Sequence, residues 1–550
     1  MVSYDQFKPT IGDRSRWTFA NVMADRVASH GDKVYLDVPS TGETYTYART
    51  ADIAARVASG LAARGLKPGD RLMFMMPNSS SFMFSWMATS LAGFVQVPIN
   101  TAYSGAFLEH QVRTSAPSMA IISAEFAARL VESREACKSI SRVFMVDEDV
   151  EARRVLEAAG YAVEPFEALK SSDKVRLHVP GPTELSGIFF TSGTTGLSKG
   201  VMMPQSHIYI FADQVVSLCK ITDEDVHMSM GPLFHGNAQF MAAYPAFIAG
   251  ARYVMREKFS ASNWSRWLHE SGVTVTNFLG AMMDWVWKTP ADPIDSQNKL
   301  RVLFSAPTAS SIMEGFRQRF GVKEFVEVFG LTETSTMILS PYGVPRPAGS
   351  CGAASTWYDV RLVNPETDEE VPVGEVGELC IRAKHPWTTC QGYYGMPEKS
   401  LEMFRNCWLH TGDGLKRDKD GWYFFVDRLK DAIRRGGENI SSYEVEQAVL
   451  GHPAITECSA VGVPADAEAG EDEVMVCMVL SPGSTLTPEE AWAWCDKRLP
   501  KFAAPRYLAF LNALPATPSG KIRKAALREL KPEQRHDRGP SLRKPRGQKK

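Results

Sequence analysis

No apolar run along the 550 residues is long enough to cross a bilayer. The nearest, residues 82–97, is broken by Ser85, Thr89, Ser90 and Gln96. It falls short of the roughly 20 residues a span needs and reads as a core helix running into a strand. Met1 to Gln6 has neither the basic start nor the apolar stretch of a secretory signal. An excess of one charge is also lacking: 61 Lys and Arg stand against 63 Asp and Glu. That balance leaves no global field to hold nucleic acid or an anionic membrane. Cysteine is sparse, nine residues scattered without metal-ligand spacing. The odd number argues against a disulfide framework and for reduced thiols in a cytoplasmic protein. No internal repeat is evident.

What is present is the composition of a soluble globular chain, 44% hydrophobic and 23% charged. The length allows about three or four domain-sized units. Up to about residue 428, helical and strand patterns alternate. Residues 48–64 carry Ile53, Ala54, Val57 and Leu61 on one face, then Gly65 as a helix stop, then a strand over 71–76. Such alternation predicts an α/β architecture with largely parallel sheets. The Gly/Pro-rich stretch 341–352 and the turn-rich 364–377 predict a small β-rich subdomain closing the large part. A second unit starts near Asp427, with a helix over 442–450, strands over 455–463 and 473–480, and a helix through Trp492 and Trp494. It reads as a small α+β domain ending near Leu530. Residues 531–550 hold eight Lys and Arg against two acids and are expected to be a disordered tail.

The most informative segment is Thr191-Ser192-Gly193-Thr194-Thr195-Gly196-Leu197-Ser198-Lys199-Gly200, which follows the buried-strand pattern Gly187-Ile188-Phe189-Phe190. Glycines let the backbone approach an anion, hydroxyls add donors and the lysine adds mobile positive charge, a combination suited to polyphosphate. The P-loop register fails. Counted from Gly193, Ser198 falls where glycine is required and Gly200 where a metal-binding hydroxyl belongs.

The segment instead resembles the phosphate loop of the adenylate-forming superfamily, which includes acyl-CoA synthetases, aryl-CoA ligases, luciferases and peptide-synthetase adenylation domains. Ser198 stands where that family usually has proline. Five more segments resemble family motifs in the family's order. Ser305-Ala306-Pro307 matches a turn lining the adenine site. Glu327-Val328-Phe329-Gly330-Leu331-Thr332-Glu333 matches the segment in which Phe329 stacks on adenine, Thr332 touches the α-phosphate and Glu333 holds Mg²⁺. The last is a natural role for a carboxylate. Trp408 to Asp413 matches the segment whose aspartate accepts from the ribose hydroxyls. In Val426 to Ile440, the resemblance gives Arg428 to ribose, Lys430 to the hinge, Lys430 and Arg434 to the acyl-adenylate, and Gly436-Gly437 to the pantetheine of CoA. Pro518-Ser519-Gly520-Lys521-Ile522 resembles the closing motif, which makes Lys521 the principal catalytic candidate.

The resemblance implies a large N-terminal domain (1–428) of two stacked α/β subdomains plus a small β-rich one. A small mobile α+β domain (429–530) and the tail (531–550) complete the chain. It also implies two half-reactions: an acid and Mg-ATP give acyl-AMP, and CoA then displaces AMP. Pro232-Leu233-Phe234-His235-Gly236 matches the segment whose histidine stands between the carboxylate site and the CoA channel. The acid pocket is expected to draw on Asn237, Gln239, Phe240, Phe278, Leu279 and Met282. Apolar, methionine-rich walls favour a bulky hydrophobic acid. Medium-chain, alicyclic or steroid-derived, and aromatic acids are all left open.

Lys258 to Trp264, the Arg435 to Asn439 turn and residues 501–505 resemble the branch containing the carnitine/crotonobetaine-CoA ligases. The predicted walls lack an obvious cluster of acids, which argues against carnitine itself and leaves an aromatic cage as the alternative way to hold it. The alternatives are an adenylating enzyme serving another acceptor, such as a carrier protein, and a non-catalytic nucleotide-binding homologue. Partners are expected to be small molecules, with a homodimer left open.

Overall fold

The computed structural model describes residues 7–191, 198–279, 282–306, 308, 310–340, 342–429, 433–435, 438–440, 442–464, 472–499, 501, 503–517 and 521–539. Two large sheets dominate. In the first, strands Ala162–Pro165, Arg142–Met145, Met119–Ile122, Arg71–Met75, Val95–Pro98 and Leu185–Thr191 lie side by side and parallel. Lys199–Pro204 returns antiparallel on the edge, with Thr191 and Lys199 as register partners. Alternate residues of the central strand enter different cores: Leu72 and Phe74 one, Met73 and Met75 the other. This two-period partition is what a sheet covered on both faces requires.

Helix Ser80–Ala92, the interrupted apolar run, is buried almost all round. Ser79 caps it by accepting from Phe82 N, and Gly93 ends it at φ +71° before the strand begins. No described helix is long and apolar enough to cross a membrane.

The second sheet has 13 strands. Its parallel part includes Val226–Ser229, Arg252–Met255, Val275–Leu279, Val302–Ala306 and Glu324–Leu331. The strands expected to form a separate β-rich unit join it edge to edge through the antiparallel pair Glu324–Leu331 and Ser335–Leu339. One continuous sheet therefore carries adenine-side and ribose-side motifs.

The C-terminal elements form a four-stranded sheet of Ile455–Pro464, Asp472–Leu480, Tyr507–Phe510 and His536–Asp537. Helices Ser442–Leu450 and Pro488–Asp496 pack on it, the second opened by a Thr487/Glu490 capping box. This α+β layout matches the expectation, but its end at Leu530 needs correction. Strand His536–Asp537 completes the sheet, Arg506 pairs with Asp537 at 2.9 Å, and Arg538 pairs with Asp496 at 2.8 Å. The first part of the basic segment is thus held by ion pairs that composition alone does not reveal. Residues 540–550 lie outside the described region.

Candidate active site

The edges of the phosphate-loop hairpin are pinned from two sides. His110 Nε2 lies 2.7 Å from the Ser198 carbonyl, and Gln111 Nε2 donates to Ser198 Oγ at 3.2 Å. On the other side, Met202 N donates to Gly392 O and Tyr394 N to Gly200 O, at 3.0 and 2.8 Å. These bonds bring Tyr393 against two expected site residues. The Lys199 ammonium sits 4.5 Å from its ring centroid, and its hydroxyl donates to Glu333 Oε1 at 2.9 Å. Cys390 N fixes the Glu333 backbone carbonyl at 2.9 Å. Ser192, Gly193, Thr194, Thr195 and Gly196 lie outside the described residues; Thr191 and Lys199 flank them.

In the segments expected to line adenine, Ser305 and Glu327 are register partners on adjacent parallel strands. Ser305 Oγ and Thr308 Oγ1 are 2.6 Å apart. The Glu327 carboxylate meets Arg346 at 2.6 Å, both side chains buried. Burial pushes Glu327 up and the Arg346 charge opposes it. Phe329 stacks with Phe425, centroids 5.8 Å apart and planes at 29°. Tyr443 meets Phe425 edge-on at 5.9 Å. Gly330 cannot carry a side chain, since a Cβ there would lie 2.2 Å from the Ser335 carbonyl oxygen. Val328 is buried beside these residues, and Pro307 lies outside the described region.

Asp413, expected on the ribose side, is held by a network that no motif marks. Glu378 accepts from Gly412 N at 3.0 Å and from Arg405 Nη2 at 2.7 Å, and His410 Nδ1 lies 2.9 Å from the same carboxylate. The turn before Asp413 is thereby fixed. Asp413 pairs with Arg428 Nε at 3.2 Å through Oδ1. Oδ2 is buried and accepts from no group among the described residues. Burial pushes the acid up to about 6, with Arg428 opposing.

Lys521 reaches the same region from the C-terminal sheet side. It lines a cavity with Asn100, Tyr103, Thr191, His235 and Thr332. Its backbone is clamped by Thr517, whose N donates to Lys521 O at 2.6 Å and whose Oγ1 accepts from Lys521 N at 3.1 Å. Burial and then Arg428 lower the ammonium's pKa, while Glu333 and Asp413 raise it. His235 is pushed down to about 4, first by burial and then by the Lys521 charge. A neutral ring results, and its Nδ1 accepts from Asn237 N at 3.2 Å.

The expected acid-pocket residues divide. Asn237 adjoins His235 and accepts from Asn277 Nδ2 at 2.6 Å. Gln239 is tied to Leu233 O at 2.6 Å and to Gln96 at 3.1 Å, in a buried amide pair. Phe240 packs 5.1 Å from Phe189 in one core, and Phe278 packs 5.2 Å from Trp264 in another. Met282 is half-buried against that second core. The Leu279 and Arg434 side chains, Lys430, Gly436 and Gly437 lie outside what is described. Tyr393, Phe425 and Arg346 had no motif to mark them; only their partners did.

The AMP-binding enzyme family model matches residues 23–394, and the AMP-binding enzyme C-terminal domain model matches 444–521. Crotonobetaine/carnitine–CoA ligase of Salmonella agona (strain SL483) is 30% identical over 92% of this chain and 97% of its own. Among solved structures, the anthranilate CoA ligase AuaEII with anthranoyl-AMP superposes with a TM-score of 0.83 at 22% identity, over 94% of this chain and 97% of that one. ATP-bound MatB from Rhodopseudomonas palustris superposes at 0.79 and 25% identity, over 93% and 98%. A benzoate CoA ligase from Burkholderia xenovorans LB400 superposes at 0.80 and 23%, over 93% and 100%.

Proposed function

Since the chain belongs to the AMP-binding enzyme family and is an AMP-forming acid–CoA ligase that uses ATP and CoA, we propose that its acid is bulky and largely apolar. We also assign the steps to the residues above. Adenylation joins two anions, a carboxylate and the α-phosphate, so the barrier falls when a cation bridges them. Lys521 is that cation. A carboxylate oxygen attacks the α-phosphorus, the bond to pyrophosphate breaks, and Thr332 steadies the α-phosphate oxygens. Phe329 stacks on adenine, and Asp413 Oδ2 accepts from a ribose hydroxyl with Arg428 alongside. In the second half-reaction, the CoA sulfur adds to the acyl carbonyl and AMP leaves. Neutral His235 separates the acid from the thiol path. The small domain turns about Lys430 between the steps, withdrawing Lys521 and bringing up Arg434 and the Gly436-Gly437 turn.

Glu333 fits a hard cation: it offers carboxylate oxygen, oriented by the Tyr393 hydroxyl. Mg²⁺ held there would supply charge neutralisation at the phosphates. The observation that carries the catalytic assignment is the common cavity of Lys521, His235 and Thr332. The apolar-acid reading is supported by Met241, whose sulfur lies 3.2 Å from Asn237 Nδ2, and by Phe189, Phe190 and Phe234 in the lining of the same cavity.

The test is pyrophosphate release by the full chain with Mg-ATP, CoA and medium-chain, alicyclic, steroid-side-chain and aromatic acids, with thioester identified by mass. Release and thioester formation that favour bulky acids are expected. Preference for short polar acids would overturn the substrate class. Release without thioester would move the acyl group to another acceptor.

A further inference from the structure

The peptide after His235 forms a short helix, Gly236–Ala238, then a wide turn of π geometry over Gln239–Ala243, then helix Tyr244–Ala249. Such π insertions re-aim side chains and recur at functional sites. Ala238, Gln239, Phe240, Ala242 and Ala243 are wholly inaccessible, whereas Asn237 and Met241, four residues apart, keep 5% and 9% exposure. The neighbouring strand repeats the pattern. Asn277 keeps 4%, between Thr276 at 0% and Phe278 at 1%. These three partly accessible residues meet on one face.

Their polar groups do not close on themselves. Asn277 Nδ2 donates to Asn237 Oδ1 at 2.6 Å, and Asn237 Nδ2 has only the Met241 sulfur, a weak acceptor, at 3.2 Å. Asn277 Oδ1 is buried and accepts no hydrogen bond from any described residue. A buried amide left in this state is costly, and most native structures avoid it. Asn237 directly follows His235 and Gly236, which line the cavity, so the unpaired amide oxygen beside it marks a place built for a hydrogen-bond donor that the protein does not itself supply.

We propose that the acid carries a hydroxyl or primary amine on its carbon skeleton, away from the carboxylate, and that the Asn237–Asn277 amide pair receives it. This rests on the ligase reading above and narrows it: the acid is bulky and mainly apolar but substituted. The substituent donates to Asn277 Oδ1, and a hydroxyl can also accept from Asn237 Nδ2 in place of the thioether. An unsubstituted analogue must bury the amide unpaired, the circumstance in which a polar site discriminates strongly.

The test compares matched acids on the full chain: benzoate with its hydroxy and amino derivatives, and cyclohexanecarboxylate with its hydroxy derivatives. Acid-dependent pyrophosphate release gives kcat/KM for each. At least one substituted acid in a series should exceed its parent by about tenfold or more, and Asn277→Leu should collapse that ratio. Equal kcat/KM across each series in the unmodified protein would overturn the inference without any variant, and so would a ratio that survives Asn277→Leu. If no acid in either series releases pyrophosphate, while other bulky acids do, the inference fails and the ligase reading stands. If no acid of any class releases it, the reading itself fails.

Discussion

Arg428 and Asp413 are register partners across the antiparallel strands Trp422–Arg428 and Leu409–Arg417, with the guanidinium Nε 3.2 Å from Oδ1. The pairing occupies one carboxylate oxygen and leaves Oδ2 buried without a described protein donor. Two motifs separated by 15 residues in sequence thus become one polar device through a single strand pairing. Arg428 opposes the Lys521 charge, while Asp413 and Glu333 favour it.

That geometry predicts a pH-dependent nucleotide affinity. Burial holds Asp413 at about 6. A ribose hydroxyl donating to it favours the ionised form, so ATP binding should expel a proton near that pH. KM for ATP should rise as pH falls through about 6, and binding heats should depend on buffer ionisation in the same range. Asp413→Asn should abolish the pH step and weaken ATP by roughly 10- to 100-fold, the worth of a hydrogen bond to a charged group. A step unchanged in the variant would reassign it to another group.

For Lys521, the two half-reactions separate a catalytic role from a structural one. Lys521→Ala should slow adenylation by roughly 10²- to 10³-fold while thioester formation from preformed acyl-AMP survives. Because burial and Arg428 lower the ammonium's pKa, adenylation should decline at alkaline pH earlier than an ordinary lysine would impose. His235, held at about 4, should contribute no inflection near its usual value of about 6.5. Equal loss in both half-reactions would remove the bridging role.

Stability has its own pH signature at Asp225, which anchors the parallel strands beneath the site. Burial alone would raise this acid, but Arg301, Thr222 and Thr274 hold it below the ordinary 3.8. Arg301 donates at 2.8 and 2.6 Å, and the side chains are 6% and 23% exposed. A depressed folded value adds stability above the unfolded pKa and loses it as pH falls through the folded one. Asp225→Asn should therefore cost about 2–3 kcal/mol at neutral pH, and the difference from the parent should shrink below about pH 4. Denaturant midpoints at both pH values measure it.

What the sequence made legible was local. The helix with Ile53, Ala54, Val57 and Leu61 on one face, its stop at Gly65 and the strand that follows are dictated by neighbours along the chain. Equally, Asp413, Arg428 and Lys521 were found through motifs, because each stands in a segment of restricted composition. Tyr393 was invisible. It contributes through Lys199 and Glu333, 194 and 60 residues upstream, and nothing in Gly392-Tyr393-Tyr394-Gly395 announces either contact. Phe278 and Asn277 show the same limit at finer scale. An apolar residue in an expected pocket segment turned to the core, and its polar neighbour turned to the face where Asn237 lies, since alternate residues of a strand point opposite ways. The edge-to-edge joining of the β-rich strands to the large sheet was hidden for a related reason: pairing partners are chosen across the fold.

The last prediction concerns how Lys521 is held in place. Asp427 Oδ2 accepts from Ser442 N at 2.7 Å, bringing the last strand before residue 430 against the first turn of helix Ser442–Leu450. A carboxylate there also suits the helix dipole. The Ser442 hydroxyl contacts the Lys524 ammonium, which pairs with Glu446 at 2.9 Å. Lys524 opens the helix that begins three residues after Lys521, so the contacts run from the proposed hinge to the proposed catalytic lysine. Asp427→Ala should release this arrangement and slow adenylation by about tenfold, the effect of one lost charge-assisted hydrogen bond. Transfer from preformed acyl-AMP to CoA, which in the proposed pivot uses the other domain orientation, should be unchanged or faster. Ser442→Ala keeps the backbone donor and should affect adenylation far less. Single-turnover rates of the two half-reactions decide the matter, because a residue needed only for folding would slow both together.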